Sequence, residues 1–157
     1  MRQSNPHPPA DSAPLSAWLD YIEKLHPQAI ELGLERVSRV WRRMGAKLDC
    51  AVFTVGGTNG KGSTCAMLAA ILKAGGYRVG LYTSPHLTSF NERIQVAGKE
   101  AGDAELTRSF SLVEAARVRD DPVALTYFEF TTLAAFAIFA SARLDCVVLE
   151  VGQGLCS

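Results

Sequence analysis

Ala51–Thr64, AVFTVGGTNGKGST, sets a five-residue run of apolar and β-branched side chains against a glycine-rich loop carrying one lysine, and then opens a helix. Strand, glycine loop and helix start, in that order, build a phosphate cradle. Glycines let successive backbone N–H groups turn inward, the helix start adds the positive end of its dipole, and the lysine brings a mobile charge to phosphate oxygens. The stretch departs from the common pattern G-x-x-x-x-G-K-[ST], because Gly57 to Gly60 is a shorter spacing and Lys61 is followed by Gly62 instead of a hydroxyl. Ser63 and Thr64 come next, one step late. A glycine turn alone would give Lys61 no role, so nucleotide binding is the expectation.

Downstream, Ser63–Lys73 reads as the helix after the loop and Arg78–Thr83 as a second strand after the Gly75-Gly76 turn, a βαβ unit. Ala51–Val55 reads as a buried strand. In SPHLTSFNERIQVAGKE, Pro85 stops a central strand, and Arg93–Val96 is expected as a short edge strand ended by Gly98. Asp103 is a candidate N-cap for a helix through Arg117, and Thr126-x-x-Glu129 has the spacing of a capping box opening another. That helix, TYFEFTTLAAFAIFASA, is apolar nearly all round, so it is expected to be covered on more than one side. Cys146–Val151 reads as a third buried strand. Alternating strands and helices with near-continuous apolar strands predict a parallel, doubly wound α/β sheet of the P-loop kind, with ligands at the strand carboxyl ends.

Upstream, Leu15, Trp18, Leu19, Ile22 and Leu25 recur at helical spacing, and a second amphipathic helix is predicted from Leu34 to Met44, stopping at Gly45. HPQAIELG between them reads as a loop. Residues 1–14 hold four of the seven prolines and little apolar content, which predicts a disordered or loosely attached tail before a single folded unit over 15–157.

The composition of the 157 residues, 48% hydrophobic and 20% charged, suits one soluble domain with a real core. Sixteen basic and sixteen acidic residues cancel, so no global field favours nucleic acid or an anionic membrane, and phosphate binding must come from local arrangement. No run is apolar for the roughly 20 residues that span a bilayer, and the N-terminus lacks a signal-like stretch, which predicts a cytoplasmic chain. Cys50, Cys65, Cys146 and Cys156 show no C-x-x-C spacing and read as reduced thiols.

Ser84 follows the second strand and Glu150 ends the third, so both are expected beside the phosphate loop. A carboxylate and a hydroxyl next to bound phosphates are the oxygen ligands that Mg²⁺ prefers. Glu150 is the stronger candidate, since a carboxylate inside VVLEVG is costly to bury unpaired. A Ser-Pro step often only starts a turn.

Five segments together resemble the folylpolyglutamate synthases and bifunctional dihydrofolate synthases, relatives of the Mur peptide ligases. They are LHPQAIELGLERV (Leu25–Val37), VGGTNGKGST (Val55–Thr64), GLYTSPHLTSFNERI (Gly80–Ile94), LTYFEFTTLAAFAIF (Leu125–Phe139) and LDCVVLEVG (Leu144–Gly152). The resemblance implies that ATP phosphorylates a pterin-linked carboxylate and that the amine of L-glutamate attacks the acyl phosphate to form an amide. It also implies that Thr58, Asn59, Gly60, Lys61, Gly62 and Ser63 hold ATP, that Ser84 and Glu150 ligate Mg²⁺, and that the pterin contacts Ala29, Ile30, Glu31 and Leu32 as well as Thr126, Tyr127, Phe128 and Glu129. For Ala29–Leu32 the alternative is an ordinary interhelix loop, and for Thr126 and Glu129 the capping box alone. No catalytic residue is assigned.

The family continues past the third strand with a GLGGRLDATN-like run, where this chain reads EVGQGLCS and stops. The expectation is therefore an incomplete Mur-ligase-like ATPase domain without its C-terminal domain, truncated after Gly152 and lacking turnover. The alternatives are an inert nucleotide-binding fragment and a piece of a Mur-type peptide ligase. The expected partners are dihydropteroate or folate and L-glutamate, with no nucleic acid, no membrane and a monomeric state.

Overall fold

The computed structural model describes residues 6–25, 34–57 and 59–150. The chain divides into two compact units, one from Met1–Lys47 with Asp103–Ile138 and one from Leu48–Gly102 with Phe139–Ser157.

The first unit is helical: α1 (Leu15–Lys24), α2 (Glu35–Met44), α4 (Asp103–Val118) and most of α5 (Tyr127–Ser141). The apolar stripe read in α1 places Trp18 and Ile22 in the core, where the Trp18 ring meets Phe110 of α4 at 6.5 Å and Phe110 in turn meets Phe130 of α5 at 6.1 Å between centroids. Each such fully buried side chain contributes about 1.5–3 kcal/mol. No residue between Tyr127 and Ala140 of α5 is exposed, in keeping with its unbroken apolar sequence. α2 ends at Gly45 as expected, and Arg43 donates to the carbonyls of Ala116, Arg117 and Asp121 at 2.9–3.3 Å, a cation at the negative end of α4. α4 begins at Asp103, the residue expected at its N-terminus.

A polar cluster lies within this unit. Tyr21 Oη donates to Glu114 Oε1 at 2.7 Å, and Arg117 Nη2 donates to the same oxygen at 2.7 Å while its Nε donates to Oε2 at 3.0 Å. Burial foremost, with the Glu114 hydrogen bond second, pushes the Tyr21 phenol up to about 12. In the tail, Asp11 Oδ1 accepts from Ser111 Oγ at 2.7 Å, and Ala13 N–H turns back to Ala10 O.

The second unit is a five-stranded sheet in the order β1-β5-β2-β3-β4, with β1 Ala51–Val55, β2 Val79–Tyr82, β3 Ile94–Val96, β4 Lys99–Glu100 and β5 Cys146–Glu150. β1, β5 and β2 are parallel, and the hairpin β3-β4 extends the sheet antiparallel from β2. α3 (Lys61–Ala74) sets Cys65, Leu68, Ala69 and Leu72 against Val55, Val79, Leu81, Cys146 and Val148.

Two sequence expectations need correction here. β3 is interior, because the two residues of β4 pair with its far side. β1 is not buried: Val52 is 45% and Phe53 41% exposed, since among the described strands β1 has β5 as its one neighbour. A continuous apolar run was read as coverage on both faces, but its place at the sheet edge decides its exposure.

Candidate functional site

Parallel pairing aligns three strand ends. Val55 lies opposite Glu150, and Tyr82 lies opposite Leu149, so the glycine loop, Glu150 and the Ser84 loop all leave the sheet at the same end. The loop closes with Gly60 at φ +74°, a left-handed backbone that any side chain would strain, and α3 starts at Lys61, two residues earlier than its apolar pattern predicts. Lys61 therefore stands in the first turn of α3, at the positive end of the helix dipole. Its stem bends back over the loop, to within 4.0 Å of where a side chain on Gly57 would begin. Of the two late hydroxyls, Thr64 Oγ1 donates to Gly60 O at 2.9 Å and is committed to the helix, whereas Ser63 is exposed.

Glu150 connects the three segments. Its Oε2 accepts the Ser84 N–H at 3.4 Å and lies 3.9 Å from the position a Cβ on Gly62 would take. Gly62 stands where the common P-loop has a hydroxyl, and the carboxylate comes close to that position. Beneath it, burial foremost and the Glu150 charge second push the Cys65 thiol up from its ordinary value, which makes Cys65 a packing residue and not a nucleophile.

The loop after β2 is built by one carboxylate. Glu92 accepts the N–H groups of Leu87, Thr88 and Ser89 at 3.0, 2.7 and 2.9 Å, and these three bonds hold its carboxyl below the usual range. Arg93 Nε donates to His86 Nδ1 at 2.8 Å, its guanidinium lies 5.2 Å from the Phe90 centroid, and its carbonyl accepts from Thr83 N–H. Neither Glu92 nor His86 was picked out from the sequence. The spacing of Ser89 and Glu92 was the available signal, a second capping box in the chain.

In the helical unit the predicted capping box is present: Thr126 N–H donates to Glu129 Oε1 at 2.9 Å and Glu129 N–H to Thr126 Oγ1 at 3.1 Å. Thr126, Tyr127, Phe128 and Glu129 are thus gathered at the start of α5. Thr58 and Ala29, Ile30, Glu31 and Leu32 lie outside the described residues.

Among the described residues no group of three or more His, Cys, Asp or Glu is placed to hold a metal ion. Ser84 and Glu150 offer hard oxygen ligands only, a donor set that fits Mg²⁺ shared with phosphate and water and does not fit zinc.

A glycine loop between a parallel strand and a helix, with a carboxylate at the adjacent strand end, defines the phosphate-loop α/β class. No family model matches the chain. It is 51% identical over 147 residues to the dihydrofolate synthase/folylpolyglutamate synthase of Escherichia coli, covering 93% of this chain and 34% of that protein. To the protein of the same name from Haemophilus influenzae it is 45% identical over 148 residues, covering 91% and 32%. Among solved structures, the bifunctional folylpolyglutamate synthase/dihydrofolate synthase of Yersinia pestis complexed with AMPPNP and Mn ion superposes with a TM-score of 0.87 at 51% identity, over 94% of this chain and 35% of that one. E. coli FolC in complex with DHPP and ADP gives 0.85 at 51% identity, over 92% and 34%. The chain belongs to the dihydrofolate synthase/folylpolyglutamate synthase family and spans about a third of the length of the curated relatives it matches.

Proposed function

We propose that this chain carries the nucleotide-binding part of an ATP- and Mg²⁺-dependent ligase that joins L-glutamate to dihydropteroate, to a folate, or to both. The observation that carries the reading is the placement of the Glu150 carboxylate between Gly62 and Ser84, at the ends of parallel strands that also launch the glycine loop. Asn59, Gly60, Lys61, Gly62 and Ser63, together with Thr58, would hold the ATP phosphates, and Ser84 with Glu150 would hold Mg²⁺. The metal would neutralise phosphate charge as the γ-phosphoryl group moves to the substrate carboxylate. Lys61 adds a cation to the same oxygens and α3 its dipole. The resulting acyl phosphate loses phosphate when the glutamate amine attacks its carbonyl carbon, so the chemistry asks for charge placement more than for a protein nucleophile. The pterin falls to Ala29, Ile30, Glu31 and Leu32 and to Thr126, Tyr127, Phe128 and Glu129.

The reading makes the protein a monomeric, cytoplasmic one that acts on small molecules, with no nucleic-acid or membrane partner. Among the described residues no helix is long and apolar enough to cross a membrane. A second reading, in which the chain by itself binds nucleotide without turnover, is favoured by the exposed apolar side chains of β1.

Two measurements test these. Equilibrium binding of Mg-AMPPNP to the purified chain is expected to weaken about tenfold or more in Lys61→Ala, the loss of one charge-assisted phosphate contact. Equal affinity in the variant would remove the phosphate-cradle reading. Incubation with Mg-ATP, dihydropteroate and labelled glutamate distinguishes the other pair: amide product rules out the inert reading, and nucleotide binding without product supports it.

A further inference from the structure

Glu129 carries more partners than a helix cap requires. A capping box uses one carboxylate oxygen, here Oε1, to accept the N–H of Thr126. The helix start already offers that carboxylate a positive field. Yet Arg36, from the first turn of α2 and 93 residues away in sequence, sets its Nη2 at 3.0 Å from Oε1 and 3.3 Å from Oε2. Both side chains are largely withdrawn from water, Arg36 to 18% and Glu129 to 12% exposure, so this is not the loose surface pair whose worth is near zero. An exposed pair on the same α2, Arg39 with Glu35, shows the contrast at 42% and 82%.

The capping bond fixes where the carboxylate sits, and the guanidinium fixes how it is turned. Arg36 engages both oxygens through one nitrogen and the cap engages Oε1, so the carboxylate is held at one place and in one orientation. That carboxylate in turn holds the Thr126 N–H, and with it the backbone that opens α5. The ion pair also joins two helix starts, that of α2 at Glu35 and that of α5 at Tyr127, the second lying within the segment assigned to the pterin.

We propose that Arg36 is a positioning residue for the pterin-bearing substrate, acting through the Glu129 carboxylate that it holds at the start of α5. This rests on the reading that Thr126–Glu129 form the subsite. The test measures equilibrium binding of dihydropteroate and, separately, of Mg-AMPPNP to the whole chain and to R36M, R36K, E129Q and R36M/E129Q, with thermal melting of each. R36M is expected to weaken dihydropteroate about tenfold while Mg-AMPPNP stays within about twofold, R36K to recover most of the loss, and the double variant to bind no worse than R36M.

Dihydropteroate affinity unchanged in R36M and E129Q overturns the inference and leaves the function standing. Equal loss of both ligands in R36M, unrestored by R36K, makes the pair a fold contact and also overturns it. A wild-type chain that binds Mg-AMPPNP but no dihydropteroate refutes the subsite reading and this inference with it. Should R36M fail to fold, E129Q keeps the shape of the side chain and decides alone.

Discussion

Gly80→Ala is the most informative single change in the sheet, because its cost can be worked from three distances. Gly80 lies in the fully buried strand β2, and an added Cβ would stand 2.5 Å from Leu144 Cδ1 and 2.8 and 2.9 Å from Cδ1 and Cε1 of Phe139. Ordinary contacts begin near 3.4 Å, so the leucine tip must retreat by close to an ångström and the aromatic ring by half of that. Leu144 is partly exposed and can swing, whereas Phe139 is 1% exposed and cannot move without displacing its neighbours. Overpacking of this kind costs about 1–3 kcal/mol, partly offset by the strand entropy that alanine saves over glycine. A net loss of about 1–2 kcal/mol corresponds to a fall in Tm of about 3–6 °C for a chain of this size. Urea denaturation and calorimetry on wild type, Gly80→Ala, Leu144→Ala and the double variant form a cycle. In the Leu144→Ala background the Gly80 substitution should cost about 1 kcal/mol less, because the closest obstruction has gone. A Gly80→Ala protein as stable as wild type, or an equal cost in both backgrounds, would refute the packing argument.

Other expectations concern the polar groups. Tyr21 titrates near 12 in the folded chain against 10.0 in an unfolded one, so its contribution is complete below pH 10 and is lost as the pH rises towards 12. That loss reaches about 2–3 kcal/mol, and chemical denaturation between pH 9 and about 12 should show a steeper decline in wild type than in Tyr21→Phe. Glu92 has its carboxyl held below 4.5, so the order it gives its loop is present above that pH and is lost as the pH falls through the depressed value. In Glu92→Gln the amides of Leu87, Thr88 and Ser89 should exchange with deuterium distinctly faster at neutral pH, and unchanged protection would contradict the role assigned to the three hydrogen bonds.

What the sequence disclosed and what it hid divide along chain distance. The glycine loop, the turn at Gly45 and the Thr126–Glu129 box are local devices, each satisfied within a few residues, so residue type and spacing suffice to read them. The mixed sheet was harder. β3 was expected as an edge strand ended by Gly98, but a further strand lies beyond that turn, and its two residues, Lys99 and Glu100, are too few to leave a periodic signal. Apolar content in β1 resembled burial because composition does not record how many neighbours a strand has. Arg36–Glu129 and Tyr21–Glu114 were invisible, since each joins groups more than 90 residues apart whose types suit an exposed helix face equally well. The proximity of Glu150 to Gly62 was half legible: the strand end was predicted, and the register that brings the carboxylate to the helix start was supplied by folding.

The open side of β1 has a consequence for the loop it carries. Among the described residues β1 is held by one ladder, to β5, and a strand so held transmits any slackness directly to the residues that follow it, here the glycine loop. Anything that pairs with the side of β1 away from β5 would stiffen the loop from behind, and anything that pries β1 from β5 would loosen it. Under the proposed function, nucleotide affinity would be a gauge of how firmly β1 is held against β5, read out at a distance from that pairing.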